Sequence, residues 1–304
     1  MFERADGDQL NPNKKSCESS MAYPNLKQAI WLLALLILTE MGFGMLIYAA
    51  GIISSQPLEH NNYLLGITKL AVYLLVLLYI SRRADRRWAS LLYPGNASSD
   101  WRLWASVALS ISGTALVLFE LNKAVISVIP MPELFQELIK STVGRETSYP
   151  SALFHAAIVA PYVEELLFRG VILCGLLSNH SRKCAIIWSS ILFGLSHLNP
   201  WQFSPALLYG FVFAWWTIST GSLWPAVVGH ALNNLLSTTF MRIDVPYFAV
   251  SEDLNDVVFN PWWWTASGIA LAALGLWWFH QISNKNRSAN SNTIETGDTP
   301  EVGD

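Results

Sequence analysis

Three apolar stretches of the sequence contain side chains that could activate a water molecule. Glu164 and Glu165 are adjacent in the first stretch, His197 ends the second, and His230 and Asn234 belong to the third. An ionisable group inside a membrane costs free energy, so each one requires a partner or a function. Together these side chains supply a general base, a proton carrier and hydrogen-bond donors for an oxyanion, which the attack of water on an amide requires.

The two adjacent carboxylates are expected to differ in their environments, because two such groups in a membrane resist ionising together. Arg169 follows Glu165 by four residues, which places both on one helix face, where they can pair. Glu164 lies about 100° further round the helix and is the freer candidate for a general base. The alternative is that all three side chains form a buried ion network that only holds helices together.

The polar residues of the other two stretches also have a structural interpretation. His197 lies at a predicted helix end, where a single histidine is often structural. His230, Asn234 and Ser237 are spaced as i, i+4 and i+7, which predicts one polar helix face. Such a face either contributes to an active site or forms hydrogen bonds between helices.

Composition predicts the elements that must position these residues. The chain is 52% hydrophobic and 13% charged, whereas soluble domains carry about 25% charged residues. Since a spanning helix needs roughly 20 mostly apolar residues, we predict an all-α, polytopic membrane helical bundle with about eight transmembrane helices. The predicted spans are 28–50, 63–81, 103–121, 150–178, 184–198, 204–220, 222–241 and 261–282. The net charge of −3 is too small to indicate a nucleic-acid partner.

Two of the shorter segments have specific consequences. The span 184–198 is too short to cross a hydrocarbon core of about 30 Å upright, so its end at His197 is expected below the membrane surface. Residues 133–140 have apolar residues on one side and Glu133 and Lys140 on the other. This pattern predicts a short amphipathic helix that rests on the membrane surface.

The loop charges predict the orientation of the bundle. Basic residues cluster after the second span and between the fourth and fifth spans: Arg82, Arg83, Arg86, Arg87, Arg182 and Lys183. By the positive-inside rule, both termini are cytoplasmic. We divide the chain into a polar cytoplasmic tail, N-terminal spans with the amphipathic segment, core spans, a loop with the last span, and a disordered tail: 1–27, 28–149, 150–241, 242–282 and 283–304.

Three short motifs, in this order, carry a resemblance to a known family. They are Glu164-Glu165-x-x-x-Arg169, Phe193-x-x-x-His197 and His230-x-x-x-Asn234. They resemble the three motifs of the CPBP (Abi) family of intramembrane proteases, which includes the CAAX prenyl endopeptidases and bacterial relatives linked to bacteriocin immunity. The resemblance covers about 150–241, and each motif lies inside an apolar span, which makes the combination specific.

The resemblance implies a role for each motif residue. Glu164 would deprotonate a water molecule, His197 would orient or activate that water, and His230 and Asn234 would stabilise the tetrahedral oxyanion. The supporting residues would be Glu165, Arg169 and Phe193.

A bound metal is an open question at this point. Glu164, His197 and His230 could in principle form a zinc site of two histidines and one carboxylate. The sequence contains no HExxH motif. The resemblance, whose family was formerly classed as metalloproteases, favours a glutamate mechanism without a metal or other cofactor.

The resemblance also implies partners and location. The expected substrate is a membrane-embedded or lipidated peptide, and a CAAX-like peptide is one candidate. The protein itself is expected to be a multi-pass protein of the bacterial inner membrane.

Two other functions would use the same residues. A proton-coupled transporter would use the buried Glu and His as carrier sites, and a catalytically silent scaffold or immunity protein would use them only to hold helices together.

Three further ionisable residues are predicted to lie outside the site. Glu40 in the first span and Lys69 in the second could pair with each other or extend to the interface. His155 precedes Glu164 by nine residues, which on a regular α-helix places it on the opposite face.

Overall fold

The computed structural model describes residues 23–55, 58–84, 97–243 and 253–296, with only the backbone given for residue 59 and for 286–296. Over these ranges the chain is helical and contains no strand. The helices are α1 (Leu26–Ser54), α2 (Asn62–Arg83), α3 (Trp101–Val128), α4 (Glu133–Val143), α5 (149–179), α6 (Arg182–Leu195), α7 (Pro200–Thr220), α8 (Trp224–Phe240) and α9 (Trp262–Thr296). The predicted all-α membrane-type bundle is confirmed.

The number of spans stays a prediction. Among the described residues, α1, α2 and α3 are each long and apolar enough to cross a membrane by length and composition. Helix α9 continues beyond residue 283, where a disordered tail was expected, and ends at Thr296. Residues 1–22 and 297–304 lie outside the described residues, as do several of the loop charges used for orientation, so the domain division and the topology also stay predictions.

Capping side chains define where the helices begin. At the start of α1, Oδ1 of Asn25 accepts from the backbone N–H of Gln28 (3.0 Å), and Oε1 of Gln28 accepts from the backbone N–H of Asn25 (2.8 Å). This reciprocal pair satisfies two of the N–H groups that a helix leaves unbonded at its first turn. At the start of α6, the hydroxyl of Ser181 accepts from the backbone N–H of Cys184 (3.4 Å), and α6 spans only 14 residues, as the short fifth span predicted.

The apolar side chains form two main cores. One joins α1, α2, α5 and α6 and includes Leu36, Phe168 and Phe193. The other joins α3, α7, α8 and α9 and includes Phe213 and other aromatic residues. The ring of His230 lies between them, 5.7 Å from the ring centroid of Phe193 and 5.6 Å from that of Phe213. The candidate site is therefore where the two cores meet.

Helices α3 and α9 pack so closely that only small residues fit between them. A Cβ atom on Gly113 of α3 would collide with the backbone of Ala272, and one on Gly275 of α9 would collide with the backbone of Ser110. Close backbone approach through small residues is typical of helix pairs in membranes. On the outside of the bundle, apolar residues of α1 such as Leu46 and Ile53 are exposed, which fits contact with lipid.

Candidate active site

Helix α5 is irregular where it carries the two carboxylates. A six-residue α-helical segment, Ala160–Glu165, lies between two π-helical stretches, Phe154–Val159 and Leu166–Leu173. Pro161 has no N–H to donate to the carbonyl one turn earlier, and its ring would clash with that carbonyl in a regular helix. The wider π turns relieve this conflict, and π turns inside α-helices occur frequently at functional sites.

The first π-helical stretch provides a carbonyl for a side chain of α8. Nδ2 of Asn234 donates to the carbonyl oxygen of Ala156 (2.7 Å), and Nδ2 of Asn233 donates to Oδ1 of Asn234 (3.1 Å). Asn234, the predicted oxyanion donor, therefore uses one N–H to fasten α8 to α5. The second N–H of the same amide makes no hydrogen bond within the described part of the chain.

The predicted ion pair of Glu165 and Arg169 is present. Nη1 of Arg169 lies 3.1 Å from Oε1 of Glu165, and both side chains are completely buried. The guanidinium also donates to the carbonyl of Gly210 (3.4 Å) and lies 4.2 Å from the ring centroid of Phe193. Arg169 thereby compensates the charge of Glu165 and holds the aromatic ring that was predicted to support the site.

Glu165 also orients one of the two histidines. Its Oε1 lies 2.9 Å from Nδ1 of His230, and Nε2 of the same imidazole lies 3.9 Å from Oε2 of Glu164. A carboxylate that bonds to one ring nitrogen of a histidine fixes the orientation of the imidazole, and so the direction in which the other ring nitrogen points. His230 is therefore held with Nε2 directed at the predicted general base.

Glu164 is not free, contrary to the sequence-based expectation. Nζ of Lys69 lies 2.9 Å from its Oε1. Its Oε2 has no hydrogen-bond partner within the described ranges. The two oxygens of this buried carboxylate thus differ: an ammonium occupies one, and the other faces His230.

His197 lies in the turn between α6 and α7, just beyond the end of the short helix α6. Its Nδ1 is 3.1 Å from the carbonyl oxygen of Phe193, and its ring lies edge-on to that of Phe193. Asn199, the cap of α7, donates from Nδ2 to the carbonyl of His197 (2.7 Å), while its Oδ1 accepts from the backbone N–H of Gln202 (2.8 Å). These hydrogen bonds fix the turn and the imidazole of His197 relative to each other. They leave Nε2 of His197 available to a ligand.

All three ionisable residues that were predicted to lie outside the site line its cavity: Glu40, Lys69 and His155. Lys69 contacts Glu164 and also pairs with Glu40 (3.5 Å), so the expected Glu40–Lys69 pair exists but is not isolated. Excluding His155 was wrong, because it lines the same cavity as His197. The angular count that excluded His155 holds for α-helical turns, whereas the intervening π-helical stretch contains more residues per turn.

A cavity of about 1060 Å³ opens beside these residues. Its polar wall includes Lys69, His155, His197, His230 and Asn234, and its remaining wall is mostly apolar, with contributions from α1 to α4, from α7 and α8, and from the segment 254–260. A cavity of this size and composition is typical of a ligand site.

Tyr209 is a cavity residue that the sequence did not indicate. It is buried, its ring stacks on Phe213, and its hydroxyl has no hydrogen-bond partner among the residues that the structure describes. A buried hydroxyl without a partner is unusual. No motif marks Tyr209, although a tyrosine inside an apolar span could have been noted as a candidate.

The ammonium of Lys69 disfavours a metal ion at Glu164. Within the described ranges, no three His, Cys, Asp or Glu side chains are grouped so that they could bind one. The ammonium of Lys69 lies against Oε1 of Glu164, whereas the Nδ1 contacts of His230 and His197 leave Nε2 of each ring open. A cation in contact with the carboxylate disfavours a second cation at the same group.

Comparison with known proteins places the three motifs in one domain. Residues 146–236 match the family model described as type II CAAX prenyl endopeptidase Rce1-like. An uncharacterized protein of Bacillus subtilis (strain 168), YyaK, is 29% identical over 141 residues, which cover 41% of this chain and 47% of the relative. The chain thus spans about half of the length of the curated relative that it matches. No solved structure matches the chain. All motif residues lie within 146–236, whereas Glu40 and Lys69 lie outside that range.

Proposed function

Because residues 146–236 match the family model of the Rce1-like type II CAAX prenyl endopeptidases, we propose that this chain is an intramembrane endopeptidase. It hydrolyses a peptide bond of a membrane-presented substrate. This substrate is a peptide that is embedded in the bilayer or carries a lipid, and a CAAX-like peptide is one candidate. The observation that carries the proposal is the 3.9 Å gap between Oε2 of Glu164 and Nε2 of His230, next to the large cavity.

The gap suits a single water molecule. A water that bonds to both Oε2 and Nε2 spans such a distance with ordinary hydrogen-bond lengths. Glu164 accepts a proton from this water while the water oxygen attacks the peptide carbonyl carbon. The proton then passes from Glu164 to the amide nitrogen as the C–N bond breaks, which regenerates the carboxylate.

The oxyanion is stabilised by donors that the fold holds in place. When protonated, His230 donates from Nε2 while Glu165 compensates its charge through Nδ1 (2.9 Å). The second N–H of Asn234 is the other donor. His197, whose Nδ1 bonds to the carbonyl of Phe193, acts through Nε2 to orient the water or the leaving group. No step uses a metal.

The cavity supports a substrate with an apolar chain. Its apolar wall includes Ile47, Leu65, Leu118 and Leu138, which provide contacts for hydrophobic side chains or a lipid chain. The exposed apolar surface of the bundle supports a location inside a membrane, which we propose to be a bacterial inner membrane with both termini cytoplasmic.

The proposal is tested with Glu164→Gln, which keeps the size of the side chain and removes its basicity. Membrane proteomes of a deletion strain that carries either the wild type or this variant are compared, and precursors that accumulate only with the variant identify the substrate. The purified wild type then cleaves that substrate, and the variant is slower by about 10²–10⁴-fold.

The control is Glu133→Gln, the same exchange at an exposed position of α4, which should cleave like the wild type. Undiminished cleavage by the Glu164→Gln variant would exclude the proposed mechanism. If the wild type cleaves nothing while variants at the motif residues lose stability, a scaffold is the better interpretation.

A further inference from the structure

The contact between Lys69 and Glu164 brings a helix outside the matched domain into the site. Lys69 belongs to α2 and precedes the start of the 146–236 domain. Its Nζ lies 2.9 Å from Oε1 of Glu164 and 3.5 Å from Oε1 of Glu40 on α1. The side chains of Lys69 and Glu164 are 20% and 9% exposed, so the pair is largely shielded from solvent and its Coulomb attraction is weakly screened.

This contact decides which oxygen of Glu164 can act on water. With the ammonium on Oε1, the carboxylate plane is held and Oε2 is directed toward Nε2 of His230. Without the ammonium, either oxygen could face the gap, and the carboxylate would be a buried charge beside the second carboxylate of Glu165. Each of the two adjacent carboxylates therefore has its own cation: Arg169 for Glu165 and Lys69 for Glu164.

Glu40 gives Lys69 a second carboxylate. When Glu164 accepts a proton from water, its attraction for Lys69 weakens, and Glu40 still compensates the ammonium charge. A lysine suits this exchange because its ammonium is a point charge on a flexible stem, able to lie between two carboxylates. The arrangement of Glu40, Lys69 and Glu164 joins α1, α2 and α5 through one charge from each helix.

We propose that Lys69 is a positioning residue for the general base, that it keeps Glu164 ionised with Oε2 directed at the reacting water, and that Glu40 retains Lys69 during the reaction. This inference rests on the proposed endopeptidase function. It assigns part of the active site to helices that no motif and no matched domain includes.

The first test measures the charge of Glu164 and does not depend on any activity. Infrared spectra of the full chain in lipid vesicles at neutral pH are compared for the wild type and Lys69→Met. The variant should show an additional carbonyl band of a protonated carboxyl group, and the band should disappear in Lys69→Met/Glu164→Gln but persist in Lys69→Met/Glu40→Gln. No additional band, or one that persists without Glu164, would overturn the proposal even if the protein is an endopeptidase.

The second test measures cleavage. We expect Lys69→Met to lower kcat about 10²-fold with KM changed less than about threefold, and Lys69→Arg to recover at least about a tenth of the wild-type kcat. Added methylammonium should raise the kcat of Lys69→Ala but not that of Glu164→Gln. The control is Lys27→Met, because Lys27 is exposed in the first turn of α1 and does not line the cavity.

The outcomes separate the two proposals. Wild-type kcat in Lys69→Met, or a loss of folded protein without recovery by Lys69→Arg or methylammonium, would reduce Lys69 to a structural ion pair. An absence of cleavage by the wild type would refute the endopeptidase function, and the infrared result would still decide whether Lys69 controls the charge of Glu164.

Discussion

Glu164 and Glu165 are neighbours in the chain, yet their surroundings suit them to different tasks. Glu165 is completely buried, and its Oε1 contacts both Arg169 (3.1 Å) and His230 (2.9 Å). Glu164 is paired with Lys69 through one oxygen, and its second oxygen has no partner among the described residues. Oε2 of Glu165 is also unbonded within the described ranges, so the difference lies in the contacts: Glu165 is completely buried against Arg169 and bonds to Nδ1 of His230, whereas Oε2 of Glu164 faces Nε2 of the same imidazole across 3.9 Å, a gap that a water molecule can fill.

Tyr209 allows a test in which stability and activity should change independently. Its hydroxyl is buried without a partner, so Tyr209→Phe should leave the free energy of unfolding unchanged or raise it by about 1 kcal/mol. If the hydroxyl binds the substrate, the same variant should lower kcat/KM about tenfold, which corresponds to about 1.4 kcal/mol. Unfolding in detergent and cleavage of the identified substrate measure the two quantities.

The matched control for that prediction is Tyr79→Phe. Tyr79 packs beside Arg83 near the end of α2, away from the cavity, and its exchange should change neither quantity appreciably. A Tyr209→Phe variant that is less stable but equally active would show that the hydroxyl serves packing alone.

At the scale of elements, the irregular helix α5 and its link to α8 position the site. The π-helical stretch Phe154–Val159 places His155 on the cavity wall and presents the carbonyl of Ala156 to Asn234. Since a backbone carbonyl without a partner inside a bundle is costly, the Asn234 side chain stabilises the irregular geometry on which the site depends.

Replacing Asn234 with leucine should therefore destabilise the bundle as well as slow the reaction. Leucine has a similar size but no N–H, so the carbonyl of Ala156 is left unpaired, and we expect the free energy of unfolding to fall by about 1–3 kcal/mol. Thermal unfolding in detergent micelles measures this change. Ser237→Ala, at an exposed position of the same helix, should stay within about 0.5 kcal/mol of the wild type. An Asn234→Leu variant with wild-type stability would mean that the bond to Ala156 contributes little.

At the scale of the whole molecule, the site extends well beyond the matched domain. Helices α1 to α4 and the segment 254–260 form part of the cavity wall, and α1 and α2 supply Glu40 and Lys69. The 146–236 domain holds the motif residues, but it contains neither the cation that pairs with Glu164 nor most of the apolar wall.

The contribution of α1 and α2 to the site can be tested by expressing the chain as two separate fragments, 1–90 and 91–304. Residues 91–304 expressed alone should not cleave the substrate, because Glu40 and Lys69 are missing. Co-expression of residues 1–90 as a separate fragment should restore cleavage, since membrane helices that insert independently can associate afterwards. Recovery is measured by co-purification and by cleavage, and a 1–90 fragment with Lys69→Met should co-purify without restoring activity. Cleavage by residues 91–304 alone would show that the N-terminal helices are dispensable.

The sequence by itself determined the features that follow from local periodicity and composition. Long apolar runs predicted the all-α membrane-type bundle, and the short fifth run predicted a short helix that ends near His197. The i, i+4 spacing predicted the pair of Glu165 and Arg169. These predictions succeed because they depend on the geometry of a regular helix, which is the same in every fold. The three motifs, by their order, indicated the domain that the family comparison supports.

Only the tertiary structure decided which groups surround Glu164, the proposed general base. No spacing rule connects Lys69 with Glu164, because their contact depends on how α2 packs against α5. His155 was misplaced because π-helical turns change the phase of the helix, and Tyr209 became notable only when its hydroxyl was found buried without a partner. The cation that compensates a buried carboxylate can come from anywhere in the chain, since Coulomb attraction depends on distance in space.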